Sequence, residues 1–180
     1  REAHSNLGST LQELGRLDEA EASYRQAIVL KPDYADAHYN LGITLRALDR
    51  LEEAAASYKL AIAFKPDYAE GHNNLGSTLK ELGKLEESES NLREAIALKP
   101  DYAEAHYNLG ITLQELGRLD EAEASYAQAI VLKPDCAQAH YNLGITLKEP
   151  GRLYESTPLY AHTYVVNHAS YQPHKHTLST

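Results

Sequence analysis

A repeat of 34 residues is the feature of this sequence that most restricts its fold. Lys-Pro-Asp recurs at constant spacing, with its prolines at Pro32, Pro66, Pro100 and Pro134. The segment HYNLGITL occurs at 38–45, 106–113 and 140–147, with close variants at 4–11 and 72–79. A repeated unit of this size cannot bury its own apolar face, so neighbouring copies have to stack. The sequence therefore predicts five stacked copies.

Each copy has the pattern of two helices. In the second copy, Leu41, Leu45 and Leu48 follow helical spacing, which predicts a first helix over about 35–48. A second helix is predicted over 51–64, because Pro66 ends it, and Asp67 is expected to cap the next helix. Glycines are expected to end the first helices elsewhere, at Gly15, Gly83, Gly117 and Gly151.

A second set of glycines lies inside the first helices, at Gly8, Gly42, Gly76, Gly110 and Gly144. Glycine in a helix interior costs up to about 1 kcal/mol relative to alanine. Its recurrence in every copy predicts that the partner helix approaches closely at each of these positions.

These residues resemble the tetratricopeptide repeat (TPR) family over about residues 1–150. In the first copy the family pattern is carried by Leu7, Gly8, Leu11, Ala20, Tyr24, Ala27 and Pro32. The resemblance implies an all-α, right-handed superhelical solenoid of antiparallel helix pairs, with a concave groove lined by the first helix of each pair. The predicted organisation is four repeats at 1–34, 35–68, 69–102 and 103–136, a degenerate repeat or cap at 137–166, and a polar tail at 167–180.

The fifth copy departs from the pattern. Pro150 replaces a repeated leucine, and Pro158 falls where a helix interior is expected, at a cost of about 3 kcal/mol. We expect its second helix to be shortened or displaced. The tail is expected to be poorly ordered unless a partner holds it.

Charge and motif content exclude several functions. A formal net charge of −9 disfavours nucleic acid and anionic membrane surfaces as partners. No phosphate loop, nucleophile elbow or metalloprotease motif occurs, so we expect a protein that is not an enzyme and needs no cofactor. No signal or membrane-spanning segment is visible, which favours a cytoplasmic location. The lack of methionine at position 1 favours a fragment or a processed product.

An asparagine precedes the core leucine of every first helix. The column consists of Asn6, Asn40, Asn74, Asn108 and Asn142. A carboxamide both donates and accepts hydrogen bonds, so a row of them can pair with the backbone of an extended peptide. The column resembles the asparagine ladder in the TPR arm of O-linked N-acetylglucosamine transferase-like proteins. The alternative is that these side chains bond between adjacent repeats and set the shape of the stack.

Flanking columns are predicted to read the side chains of a bound peptide. The candidates are Tyr39, Tyr107, Tyr141, Ile43, Ile111 and Lys80. Carboxylates outnumber cations along the predicted groove, which favours neutral or basic ligands. The alternative for each single charge is a solvated surface.

Two groups of histidines are candidate metal ligands. His4, His38, His72, His106 and His140 recur once per repeat, so their rings are expected to lie roughly 8–10 Å apart, too far to share one ion. We expect them to pack against the second helix, where the family has tryptophan. The tail histidines His168, His174 and His176 lack a carboxylate nearby and are not expected to form a physiological metal site.

Three functions follow as hypotheses. The first is a scaffold that binds an extended peptide through the asparagine column. The second is a protein that self-assembles head to tail through the ends of the array. The third is the substrate-recruiting arm of a larger glycosyltransferase-like enzyme.

Overall fold

The structure is a computed structural model that describes residues 2–148, with the side chain of residue 2 left out. This range contains nine α-helices and no strand. They are α1 (Glu2–Glu13), α2 (Leu17–Leu30), α3 (Ala35–Ala47), α4 (Leu51–Phe64), α5 (Ala69–Glu81), α6 (Leu85–Leu98), α7 (Ala103–Glu115), α8 (Leu119–Leu132) and α9 (Ala137–Lys148). The odd-numbered helices are the first helices of the repeats, and the even-numbered helices are the second helices.

The turns inside the repeats follow the predicted glycines. Gly15, Gly83 and Gly117 have φ between 72° and 74°, a backbone conformation that glycine adopts without a steric penalty. In the second repeat Asp49 takes this place with φ of 60°. The predicted cap was wrong, because Tyr68 occupies the N-cap of α5 and no side chain bonds there.

The helices form a solenoid in which each pair packs on the next. Every second helix contacts the first helix that follows it, and α1, α5 and α7 also contact the next first helix directly. The buried core runs along the stack between these layers and includes Tyr24, Tyr58, Leu92 and Tyr126, which are fully buried.

The glycines inside the first helices lie against these large side chains. A Cβ atom at Gly42 would lie 2.6 Å from the Tyr58 ring, and one at Gly110 would lie 2.6 Å from the Tyr126 ring. At Gly76 the neighbour is Leu92, again at 2.6 Å. Real Cβ contacts are not this short, so the predicted close approach is confirmed at these positions, and the partner is a ring or a leucine.

The ion pairs between neighbouring second helices differ from one repeat junction to the next. Glu21 accepts from Arg25 at 2.8 Å and from Arg50 of the next repeat at 2.6 Å. The same arrangement joins the third and fourth repeats, where Glu89 accepts from Arg93 at 2.8 Å and from Arg118 at 2.6 Å.

The junction between the second and third repeats lacks this arrangement. Ala55 stands where Glu21 and Glu89 stand in their repeats, and Lys84 replaces the arginine. Within residues 2–148, its second helices are joined by one ion pair, Lys59 with Glu87 at 3.6 Å.

Several predictions concern residues outside the described range. They include the effects of Pro150 and Pro158, the second helix of the fifth copy, and the tail with His168, His174 and His176. Among the described helices, none is both long and apolar enough to cross a membrane.

Candidate functional site

The asparagine column lies on the first helices and reaches the surface. Asn6 is exposed on α1, and the other four side chains are half-buried on α3, α5, α7 and α9. We call the surface that carries this column and its flanking columns the first-helix face.

Three of the five carboxamides donate to the preceding repeat. Asn74 Nδ2 donates to the Tyr39 hydroxyl at 3.0 Å, and Asn142 Nδ2 donates to the Tyr107 hydroxyl at 3.3 Å. Asn108 Nδ2 donates to Asn73 Oδ1 at 3.0 Å. The partner is always the residue 35 positions earlier, so these bonds pin adjacent repeats together, as the structural alternative expects.

The carboxamide oxygens of the column take part in fewer hydrogen bonds than the carboxamide N–H groups. Asn74 Oδ1 receives a long bond of 3.4 Å from Asn73. Within the described part of the chain, the Oδ1 atoms of Asn108 and Asn142 accept no hydrogen bond. Donation to the preceding repeat fixes these carboxamides, and among the described residues the oxygens of Asn108 and Asn142 are left to accept a ligand N–H.

The flanking tyrosines differ in how much surface they offer. The Tyr39 ring packs against the rings of Tyr68 and Tyr58, with centroids 4.7 and 5.8 Å away. The Tyr107 ring packs against Tyr126 at 6.0 Å. By contrast, Tyr141 is 70% exposed on α9.

Burial raises the pKa of Tyr39 and Tyr107, and neighbouring Glu70 and Cys136 respectively add to the rise. Both hydroxyls therefore stay protonated at neutral pH. The other predicted readers, Ile43, Ile111 and Lys80, are half-buried, and the two isoleucines pack against the core.

Charges are organised across the first-helix face. Asp36, Glu70 and Glu104 lie in the first turns of α3, α5 and α7. Glu104 accepts from Asn73 at 3.0 Å, and Glu70 pairs with Lys99 at 3.6 Å.

At the other end of these helices a cation takes part in a junction contact. Arg46 of α3 pairs with Glu81 of α5 and donates to Ser77 at 3.1 Å. This contact joins the second and third repeats through their first helices.

Tyr58 was not among the predicted site residues, yet its hydroxyl is buried and has no hydrogen-bond partner within residues 2–148. The equivalent hydroxyls of Tyr24 and Tyr126 donate to Gln12 and Gln114. A signal was present in the sequence, because Arg46 stands at the position of those glutamines.

Four of the five histidines of the repeated column form side-chain hydrogen bonds within the stack. The Nε2 atoms of His38, His106 and His140 lie 2.8, 3.0 and 2.9 Å from the carbonyl oxygen of the proline in the preceding loop. His72 instead bonds to Asn91 on the second helix of its own repeat, at 3.1 Å. Over residues 2–148, no group of three His, Cys, Asp or Glu side chains is arranged to hold a metal ion.

Comparison with known proteins agrees with this architecture. Three family models of the tetratricopeptide repeat match the chain, over residues 5–69, 76–117 and 103–136. A search of curated proteins finds no match.

Solved structures resemble the chain over most of its length. A crystal structure of MamA has a TM-score of 0.81 and 25% sequence identity, over 91% of this chain and 97% of that one. YrrB, described as a TPR protein with an unusual peptide-binding site, has a TM-score of 0.76 and 24% identity, over 93% and 86%. The first TPR of Spaghetti (RPAP3), bound to an HSP90 peptide, has a TM-score of 0.62 and 24% identity, over 62% and 89%.

Proposed function

Since the chain belongs to the tetratricopeptide repeat family, we propose that it is a protein-interaction scaffold that binds an extended peptide along the first-helix face. The role is binding rather than catalysis. The observation that carries the proposal is that Asn74, Asn108 and Asn142 are anchored within the stack through their N–H groups, while the oxygens of Asn108 and Asn142 accept no hydrogen bond within residues 2–148. An anchored carboxamide needs little further ordering when a ligand binds, which lowers the entropic cost.

The flanking groups suggest how the ligand is selected. Tyr141 offers an exposed ring, while Ile43 and Ile111 offer partly exposed apolar surface. The carboxylates Asp36, Glu70 and Glu104 favour a neutral or basic segment. YrrB and Spaghetti are repeat proteins of this fold described with a peptide-binding site or a bound peptide, and at their identity the likeness supports the fold.

The test is a triple substitution, Asn40→Ala with Asn74→Ala and Asn108→Ala. Binding to a set of unrelated ten-residue peptides with blocked ends is expected to weaken about tenfold or more, because each lost hydrogen bond is worth about 1 kcal/mol. The measurement is fluorescence polarisation, with circular dichroism to check folding. Unchanged affinity in a folded triple variant contradicts the proposal.

A matched control separates binding from stacking. Tyr39→Phe removes the partner of Asn74 in the stack and leaves the carboxamide in place. Asn40 donates no such bond within the described residues, so Asn40→Ala removes a carboxamide and leaves the inter-repeat bonds intact. We expect weaker binding from Asn40→Ala. We expect a smaller loss from Tyr39→Phe than from Asn74→Ala, because Tyr39→Phe frees the Asn74 carboxamide without removing it.

Self-association is a second candidate, favoured by the surface of α1. Leu7 is 50% exposed, whereas the equivalent Leu41, Leu75 and Leu109 are 2–4% exposed. Leu14, in the turn directly after α1, is 65% exposed. Inside the array, the preceding second helix packs on each first helix, so a second copy is proposed to cover α1 end to end.

Sedimentation velocity tests this candidate. The mass of the chain is expected to rise with concentration, and Leu7→Glu with Leu14→Glu is expected to keep it at 20.0 kDa. A species of that mass at all concentrations contradicts it. The third hypothesis, an arm of a glycosyltransferase-like enzyme, stays a prediction from the resemblance, because the comparisons support the repeat family without linking the chain to such arms.

A further inference from the structure

The second repeat contains a buried tyrosine hydroxyl without a hydrogen-bond partner, whereas the equivalent hydroxyls of the first and fourth repeats are paired. Tyr58 is fully buried, and its hydroxyl has no hydrogen-bond partner. The Tyr24 hydroxyl donates to Gln12 Oε1 at 3.3 Å, and the Tyr126 hydroxyl donates to Gln114 Oε1 at 2.7 Å. Buried polar groups are nearly always paired, so a lone exception in a repeated motif points to a missing partner.

One substitution removes the acceptor that the first and fourth repeats use, and a second removes the further hydroxyl contact of the first repeat. Arg46 replaces the glutamine, and its guanidinium is held by Glu81 and Ser77 of the next repeat. A guanidinium carries donors and no acceptor, so it cannot receive the Tyr58 proton. Ile43 replaces Ser9, which lies 3.1 Å from the Tyr24 hydroxyl in the first repeat.

Within residues 2–148, the third repeat does not share this mismatch. Lys80 stands at the glutamine position there and also lacks an acceptor. Its repeat carries Leu92 in place of the tyrosine, so no hydroxyl is left without a partner. Among the described repeats, the second is therefore the one whose buried tyrosine lacks an acceptor.

The unpaired hydroxyl lies beneath the first-helix face. The charged and polar groups that act on Tyr58 are Arg46, Tyr39, Asn74 and Glu81, and all of them lie on α3 or α5. Asn74 directs its N–H to the Tyr39 hydroxyl. Burial raises the pKa of Tyr58 against the opposing effect of Arg46, so the group remains a hydrogen-bond donor at neutral pH.

We propose that the bound peptide carries a glutamine that reaches this point, and that its carboxamide oxygen accepts the Tyr58 proton in place of the missing side chain. This inference rests on the proposed function and names a side chain that the peptide supplies. Glutamine is favoured because the chain itself uses glutamine for the same bond in the first and fourth repeats. The carboxamide N–H groups are also compatible with Glu81, which disfavours a glutamate at the same place.

Because Tyr58 is fully buried, the proposal also requires the Arg46 side chain to move aside when the glutamine enters. The Arg46 and Glu81 side chains are 34% and 35% exposed, and ion pairs in such positions contribute little stability. A ligand glutamine can therefore displace this pair without a large penalty.

The experiment selects peptides from a random ten-residue library with blocked ends on the immobilised chain, followed by sequencing. Glutamine is expected to be enriched about fivefold at one peptide position, the discrimination that one neutral hydrogen bond supplies. Tyr58→Phe removes the donor, and Arg46→Gln provides an internal acceptor. Each is expected to abolish the enrichment while peptides continue to be captured.

Tyr126→Phe is the matched control, because its hydroxyl is already bonded to Gln114 and its loss is expected to leave the glutamine enrichment unchanged. Circular dichroism checks that each variant folds. Three outcomes overturn the inference and leave the proposed function intact. The captured peptides show no glutamine preference, they prefer glutamate, or their glutamine preference survives Tyr58→Phe. Failure to capture any peptide overturns the proposed function, and the inference falls with it.

Discussion

Glu21 and Glu89 each bind two arginines and so tie neighbouring second helices together, whereas Ala55 occupies the same position between the second and third repeats. That middle junction has its close ion pair between the first helices, Arg46 with Glu81, beside a carboxamide bond of the kind that the next two junctions also have. Near-identical repeats are thus joined by two different means. The difference shows that a few surface positions decide how a repeat meets its neighbour, while the packing inside each repeat stays the same.

The packing inside a repeat is expected to contribute more to the free energy of unfolding than the contacts at either kind of junction. A valine at Gly110 places its Cβ atom 2.6 Å from the Tyr126 ring, which the surrounding core holds in place. We expect Gly110→Val to lower the free energy of unfolding by about 3 kcal/mol, measured by urea denaturation. Ala124→Val, at an exposed position of α8, is the control. A loss as small as that of the control would mean that the ring can shift.

The paired and unpaired tyrosines are expected to respond differently. Tyr126→Phe loses a hydrogen bond of 2.7 Å and should reduce the free energy of unfolding by about 1 kcal/mol. Tyr58→Phe removes a hydroxyl without a partner and should leave stability unchanged or raise it. Urea denaturation of the two variants in parallel checks this. Equal losses would show that the Tyr58 hydroxyl is satisfied in solution.

Substitution of one glutamate at each kind of junction compares their contributions to stability. Glu89 is 15% exposed and binds two arginines, so Glu89→Gln is expected to cost about 1 kcal/mol of unfolding free energy. Glu87 is 54% exposed and pairs with Lys59 at 3.6 Å, so Glu87→Gln should have no measurable effect. Thermal and urea denaturation provide the values. Similar effects for the two would remove the contrast between the junctions.

The same glutamate gives the stability a dependence on pH. Burial by itself would raise the pKa of Glu89, but the hydrogen bonds from Arg93 and Arg118 outweigh it and hold the pKa below its ordinary value. A carboxylate with a lowered pKa stabilises the folded chain above its unfolded pKa of about 4.3, and this contribution is lost as the pH falls through the folded pKa. We expect the stability gap between wild type and Glu89→Gln to close as the pH falls from about 5 to about 2. A constant gap in urea denaturation across that range would contradict the assignment.

Conversion of the middle junction to the other type is expected to have the smallest effect. Ala55→Glu together with Lys84→Arg supplies the residues that the flanking junctions have. We expect a gain in unfolding free energy of about 0.5 kcal/mol at low salt. The gain should disappear in about 1 M NaCl, where surface charges are screened. A gain that persists at high salt would point to packing rather than ion pairs.

Much of the fold could be predicted from the repeat. The helix pairs, the glycines that end first helices and the close approach at Gly42 and Gly110 all follow from local pattern and side-chain size. The cap by Asp67 was wrong because the loop before α5 places Tyr68 at the N-cap without a side-chain bond. The ion pairs of Glu21 and Glu89 could not be predicted, because they depend on how far one repeat is rotated against the next.

The helices that carry the asparagine column could be predicted from the sequence, but the hydrogen bonds of its side chains could not. The asparagine column does lie on the first helices with its side chains at the surface. That Asn74, Asn108 and Asn142 donate to the preceding repeat emerged from the structure, since each partner lies 35 residues earlier. Arg46 at the glutamine position was a signal in the sequence, but only the bonds of Tyr24 and Tyr126 show that this glutamine is the acceptor that Tyr58 lacks.

The sequence by itself determined the repeating unit, because helix periodicity, glycine and proline act over a few neighbouring residues and are the same in every copy. The tertiary structure alone decided which carboxamides are anchored, which oxygens stay open and which hydroxyl has no partner. Hydrogen bonds depend on distance and angle to within a fraction of an ångström. Those distances are set only when separate repeats, far apart in the chain, pack together.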